Sequence, residues 1–307
     1  MSKRFSYAST LLKRLFIVLL TYWVCRILFF AFNRDSFASV SWIKIIEYSF
    51  FGTRFDISAI LFTNIPFILL SLLPITLRDT NTYQKFLKII FIVTNSITLF
   101  ANCADFVYFQ ITLKRCTADV FSFMALGNDT LSLLPGFLLD YWYVIVIWIL
   151  MILLLFFLYK KTEEKKQRKN IFSLQYFITH ILILCFAAAI VVIGFRGGFQ
   201  LRPMGIINAS EYTNPQNIPL IINTPFSIIN TFEDENISPK KYLTEQIAEK
   251  YYSPIHKNNG KKFRKLNVVV LILESFSKEY IGSMNPKLGK SNTPFLDSLF
   301  SQSLVFE

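Results

Sequence analysis

Apolar residues along the chain fall into five long runs separated by short polar segments: Leu15–Phe32, Phe55–Leu77, Phe86–Phe109, Tyr141–Tyr159 and Leu174–Phe195. At ~1.5 Å per residue each is long enough, as a helix, to cross about 30 Å of hydrocarbon. The pattern therefore predicts five transmembrane helices. Lys3, Arg4, Lys13 and Arg14 precede the first run in the manner of a signal peptide. That run continues through Arg26 to Phe32 with no small-residue cleavage site, which predicts an uncleaved span instead.

Beyond Phe195 the pattern changes. Residues 197–232 mix apolar side chains with Gly, Pro and Asn and sustain no period, as expected of a juxtamembrane segment on the membrane surface, with a short interfacial helix around Leu220–Ile229. Ser238-Pro239 has the form of a helix start, and Leu243, Ile247, Ala248 and Tyr251 recur at helical spacing up to Pro254. The polar run Asn258–Lys262 follows as a linker. Asn267–Leu273, NVVVLIL, predicts a strand buried on both faces of a parallel sheet, with Glu274-Ser275 at its carboxyl end, where ligands of open α/β sheets bind. Thr293-Pro294 opens a short helix, and Ser303–Phe306 begins a second strand. The expected organisation is thus a transmembrane domain over 1–196, a juxtamembrane segment and linker helix over 197–265, and the first β–α–β portion of an α/β domain over 266–307. About 40 residues do not bury a core for such a sheet, so the expectation is either that the chain is the front part of something longer or that its last segment is poorly ordered.

Composition sharpens this picture. Hydrophobic residues make up 53% of the 307, Phe alone contributes 33, and charged residues are only 17%, with a mean hydropathy of +0.44. A soluble domain carries roughly 25% charged residues, so fully soluble and disordered readings are excluded. The net charge is +12, with 19 Lys/Arg against 10 Asp/Glu up to Phe195 and 13 against 10 after it. This basic excess accompanies the apolar half, which argues against a nucleic-acid partner. In the short loops, Lys/Arg number thirteen on one side against five on the other. The positive-inside rule then places the N-terminus in the cytoplasm and the chain after Phe195 outside. Cys25, Cys103, Cys116 and Cys185 show no metal-ligand spacing. His180 reads as a helix-packing residue and His256 as a solvated one.

In this topology the charges inside or beside the spans gather towards one side, Arg26, Arg54, Asp56, Asp105, Arg196 and Arg202, with the polar Asn102 beside Asp105. Such groups pair or line a polar cavity. One reading is structural, with Arg26 paired to Asp56 or Asp105; the other is a pocket for a lipid headgroup. No comparable charges continue through the inner half of the spans, which counts against a transporter.

Several stretches, in order, resemble one family: GTRFDISA (Gly52–Ala59), NCADFVYF (Asn102–Phe109), RGGFQLRP (Arg196–Pro203), NTPFSIINT (Asn223–Thr231), LILESF (Leu271–Phe276) and TPFLDSL (Thr293–Leu299). The chain is similar to the lipoteichoic acid synthase-like, sulfatase-like membrane proteins of the alkaline phosphatase superfamily. That resemblance implies an enzyme outside the bacterial cytoplasmic membrane that moves phosphoglycerol, or a similar phosphoryl headgroup, from a lipid-linked donor to a cell-envelope glycan or lipid acceptor. It implies Glu274 as a ligand of Mn²⁺ or Mg²⁺, hard cations suited to carboxylate oxygen. It assigns the nucleophile to a Thr falling after Glu307, and the remaining ligands further still. Ser275 and Ser277 have no accompanying base. No catalytic residue is therefore expected within this chain, and the 307 residues alone are expected to be inactive. A sulfatase or a phosphoethanolamine transferase would share these features. A non-catalytic protein that binds lipid headgroups or docks a partner is the reading from a different class.

Overall fold

A computed structural model describes residues 6–73, 78, 80–121, 135–136, 138–162, 174–232, 242–253, 260, 265–274 and 276–306. The chain divides into two compact units, Met1–Pro239 and Lys240–Glu307.

The first unit is helical. Helix α1 (Ser6–Phe32) is 27 residues long. Helix α2 (Trp42–Thr63) starts on Ser41, whose hydroxyl accepts from the Lys44 N–H. It therefore begins well before the predicted second span, and it does not run unbroken to Leu77. At Asn64 the chain bends by 65° into α3 (Ile65–Leu72). Pro66 supplies no N–H to continue the ladder, which is why the helix breaks here. Residues 74–77, the end of the predicted span, lie outside the described residues.

The break is held by an amide pair. Asn64 Nδ2 donates to Asn95 Oδ1 at 3.1 Å, and Asn95 Nδ2 donates back to Asn64 Oδ1 at 2.9 Å. Both side chains are fully buried. Asn95→Leu leaves the Asn64 amide without this partner, and intramembrane polar pairs contribute about 1 kcal/mol. Its thermal midpoint in detergent should drop by a few degrees, whereas an unchanged midpoint would show that the pair does not fasten the bend.

Helix α4 (Asn81–Thr112) is 32 residues long, and Thr80 caps its start. It ends at Leu113, whose φ of 54° turns the chain back sharply. That left-handed residue costs ~1 kcal/mol, and the return it makes carries Arg115 and Cys116 to the face of α4 that holds Asp105. Helix α5 (Trp142–Lys161) lies against α4 and α1. Trp148 Nε1 donates to the Ser96 carbonyl at 2.9 Å, and the Tyr143 ring stacks on Phe32 at 5.7 Å. Helix α6 (Leu174–Phe195) lies against α2, where Phe62 and Phe195 stack at 4.8 Å.

Among the described residues, α1, α4 and α5 are each long and apolar enough to cross a membrane, and α2 with α3 makes a fourth if the bent pair is one span. In α6 the apolar stretch is the shorter Ile181–Phe195. Outward side chains such as Phe16, Ile97 and Phe157 are more than half exposed, the pattern of helices that face lipid rather than water. The membrane character expected from the pattern is thus present, with three or four qualifying helices rather than five.

Much of 199–216 is exposed, as expected of a surface segment, but the short helix expected on the surface around Leu220–Ile229 is buried instead. A loop and a 3-10 turn (Ile206–Glu211) lead into α7 (Ile218–Ile221) and α8 (Thr224–Thr231). Leu220, Ile221, Ile222, Phe226 and Ser227 are buried among the long helices, and the Phe226 ring meets Phe55 edge-on at 5.1 Å. The long helices reach the α7–α8 backbone at two points, Arg26 donating to the Ile221 carbonyl at 2.9 Å and Asn102 Oδ1 accepting from the Thr224 N–H at 3.2 Å.

In the second unit, α9 (Glu245–Tyr251) starts on Thr244; the helix start expected at Ser238-Pro239 lies outside the described residues, as do Pro254, His256 and most of the linker. Residues 266–273 and 303–306 are not strands. They are largely exposed, and among the described residues no ladder pairs their backbone. A strand exists only as part of a ladder, so the apolar run cannot become one without a partner. Helix α10 (Pro294–Ser301) forms as expected after Thr293. Asp297, in its first turn, accepts from the Ser283 N–H at 2.8 Å and from the Ser291 hydroxyl. The Ser291 bond and then the Ser283 N–H hold the Asp297 carboxyl below its ordinary range.

Candidate functional site

The charges singled out in the sequence divide into two groups. The first is buried and neutral overall. Arg26, on α1, donates from Nη1 to Asp56 Oδ2 at 2.8 Å and from Nη2 to Asp56 Oδ1 at 2.6 Å. The same Nη2 reaches the Ile221 carbonyl at 2.9 Å, and Asn223 Nδ2 donates to Asp56 Oδ1 at 2.8 Å. The planar guanidinium suits this two-point grip. Gly52, one turn before Asp56 on α2, makes room for it. A Cβ there would sit 2.6 Å from Arg26 Cζ and 2.6 Å from the Ile221 carbonyl oxygen.

Asp105 pairs not with Arg26 but with Arg115. Arg115 Nη1 donates to Asp105 Oδ2 at 3.3 Å, Thr224 Oγ1 donates to the same oxygen at 2.5 Å, and the Cys116 N–H donates to Oδ1 at 2.9 Å. Arg115 also reaches the Pro219 carbonyl at 2.9 Å, and its guanidinium lies 3.5 Å from the centre of the Phe29 ring. That contact adds a cation–π attraction in a dry setting. Burial lowers the Arg115 guanidinium to about 10 against the opposing pull of Asp105, so it stays cationic at neutral pH. Burial, followed by the Asp105 and Asp119 charges, pushes the Cys116 thiol up to about 12, so it stays protonated there.

These bonds converge on α8. Asn223 caps it by accepting from the Phe226 N–H at 2.8 Å while its amide nitrogen holds Asp56. The Thr224 N–H donates to Asn102 Oδ1 at 3.2 Å. Thr231, at the far end, accepts from the Ala118 N–H at 2.9 Å. Asp56 and Asp105 each accept three hydrogen bonds from fixed donors, which is the structural pairing of the two readings.

The second group lies where α6 ends. Arg54 donates from Nε to the Gly197 carbonyl at 2.8 Å, from Nη1 to the Tyr212 hydroxyl at 3.2 Å and from Nη2 to Gln200 Oε1 at 3.3 Å. Arg196 Nη2 donates to the carbonyls of Gln200 at 3.1 Å and Leu201 at 2.6 Å. Arg202 is exposed. Among the described residues, no carboxylate pairs with Arg54 or Arg196.

Glu274 is exposed in the second unit. Among the described residues no group of three His, Cys, Asp or Glu side chains could hold a metal ion. Among the described residues, Glu274 alone does not make a Mn²⁺ or Mg²⁺ site. The His180 side chain, His256 and Ser275 lie outside the described residues.

Sequence reasoning missed Arg115, Asn223, Thr224 and Thr231 as members of the buried group. The Asn-Thr-Pro order is a legible helix-start signature, but its partners lie more than 100 residues away. Compared with protein-family models, curated proteins and solved structures, the chain matches none.

Proposed function

We propose that this chain is the membrane anchor and leading segment of an enzyme that transfers phosphoglycerol, or a similar phosphoryl headgroup, outside the bacterial cytoplasmic membrane. The supporting observation is a convergence. The stretches GTRFDISA, NCADFVYF and NTPFSIINT, which carry the resemblance, supply Gly52, Asp56, Asn102, Asp105, Asn223 and Thr224 to one hydrogen-bonded group. RGGFQLRP meets the same α2 through Arg54.

In this reading α6 is the fifth span, the N-terminus is cytoplasmic, and the segment after Phe195 is outside. The 266–307 segment joins an α/β sheet, where Glu274 takes its place beside ligands and a Thr nucleophile assigned by the resemblance to positions past Glu307. A sulfatase or phosphoethanolamine transferase would differ in the group transferred and not in the anchor. Anchoring keeps the reacting site near the headgroups, which raises the effective donor concentration.

The test begins with the coding sequence after the Glu307 codon. It should supply the Thr and a later Asp–His pair. Membranes carrying the product of that whole reading frame should then turn over a fluorescent phosphatidylglycerol in Mn²⁺ but not in EDTA, and Glu274→Ala should abolish turnover. A continuation in no frame, or turnover indifferent to Glu274→Ala, refutes the enzyme reading.

A further inference from the structure

We infer that Arg54 and Arg196, with the exposed Arg202 on the same loop, bind the phosphodiester of a bilayer phospholipid where α6 leaves the membrane. This rests on the reading of α6 as the fifth span proposed above, and not on the transferase activity.

The argument begins with charge. Arg26 and Arg115 each have a carboxylate; among the described residues, Arg54 and Arg196 are held by carbonyls, a hydroxyl and an amide oxygen. Neutral acceptors fix the direction of a guanidinium without cancelling its charge. The carbonyl end of α6 offsets part of the charge on Arg196, but Arg54 comes from the middle of α2 and gains no such benefit from its own helix. Each guanidinium has five N–H groups. Arg54 directs three to the protein and Arg196 directs one nitrogen, which leaves donors on both for an added anion. Phosphate oxygens match that fork geometry.

The loop is shaped around this pair. Gln200 turns inward, where its Oε1 accepts from Arg54 and its Nε2 donates to the Arg196 carbonyl at 2.9 Å. Gly197 and Gly198 have φ of 76° and 140°, and a Cβ on Gly198 would lie 2.6 Å from Gln200 Oε1. On either side of Gln200, Phe199 and Leu201 point away from the protein, 89% and 97% exposed. Two bare apolar tips beside fixed guanidiniums form the arrangement of an interfacial anchor, with acyl chains meeting the tips and phosphate meeting the arginines. Free phosphate would use the arginines but gain nothing from Phe199 and Leu201. This favours the lipid.

The experiment uses the full chain purified in a neutral detergent and titrated calorimetrically with dihexanoylphosphatidylglycerol, dihexanoylglycerol or inorganic phosphate. The phospholipid should bind at least about tenfold more tightly than either of the others. Arg54→Gln with Arg196→Gln should weaken it by about tenfold or more, and Arg54→Lys by less. Arg54 also ties α2 to the loop, so the exposed variants Arg202→Gln and Phe199→Ser/Leu201→Ser serve as tests that leave the fold intact. The first should weaken binding of both phosphorylated probes. The second should weaken the phospholipid alone. Equal affinity for the phosphate-free lipid, or a folded Arg54→Gln/Arg196→Gln protein that keeps its affinity, overturns the site. Inorganic phosphate binding as tightly as the lipid overturns the identification of the ligand as lipid.

Discussion

Arg26→Met is expected to lower the stability of the membrane unit by about 3–5 kcal/mol, because it leaves Asp56 charged, buried and facing only Asn223. The loss is not the net contribution of the pair. A buried ion pair recovers little more than its own desolvation, so Arg26→Met with Asp56→Leu should regain most of what the single change loses. Thermal unfolding in detergent, followed by circular dichroism, measures both. The single variant should melt many degrees lower, and the double variant should lie close to the unsubstituted chain. A single variant that melts normally would mean that the bidentate contact, at 2.8 and 2.6 Å, contributes nothing to the fold.

The second large effect is expected from a single methyl group. Gly52→Ala places a Cβ 2.6 Å from both the Arg26 guanidinium and the Ile221 carbonyl oxygen. The guanidinium can swing away only by releasing Asp56, and the carbonyl belongs to backbone wedged inside the bundle. Overpacking of this kind costs about 1–3 kcal/mol, and loss of the ion pair adds to it. The α7–α8 segment should therefore leave its seat while the long helices stay folded. A Ser227→Cys reporter, in a chain with Cys116 and Cys185 replaced by Ala, detects this: Ser227 is buried and should resist a water-soluble maleimide until Gly52→Ala exposes it. Equal labelling rates with and without the Gly52→Ala substitution would show that the segment tolerates the methyl group.

Both predictions depend on residues whose importance is unevenly visible in the sequence. Arg26, Asp56 and Asp105 stand out because a charge inside an apolar run is costly wherever it faces. Their partners do not stand out. Arg115 reads as one more loop charge, since nothing local announces that Leu113 turns the chain back onto α4. Asn223 and Thr224 read as a helix start, which they are, but a cap signature does not say which carboxylate its second polar atom holds. The candidate lipid site is legible as a set of arginines; which of them lack a carboxylate becomes clear only once the other pairs are assigned.

The pattern of residues alone is enough to identify the solvent this chain lives in. Long apolar runs, few charges and basic short loops are local and compositional properties, and water and lipid act on them directly. The long helices follow in place from those runs, apart from the early start of α2 and its break at Asn64, where a proline acts at a single peptide bond. The destination of Ile218–Thr231 is different, because it depends on contacts between distant parts of the chain. That segment has no period strong enough to choose a surface. It enters the bundle because Arg26, Asp56, Asn102, Asp105 and Arg115 together satisfy polar groups that would otherwise require water. The same reason governs 266–273, an apolar run whose backbone needs neighbours before it can be a strand. Local pattern sets what a segment can bury; the partners that meet its hydrogen bonds set where.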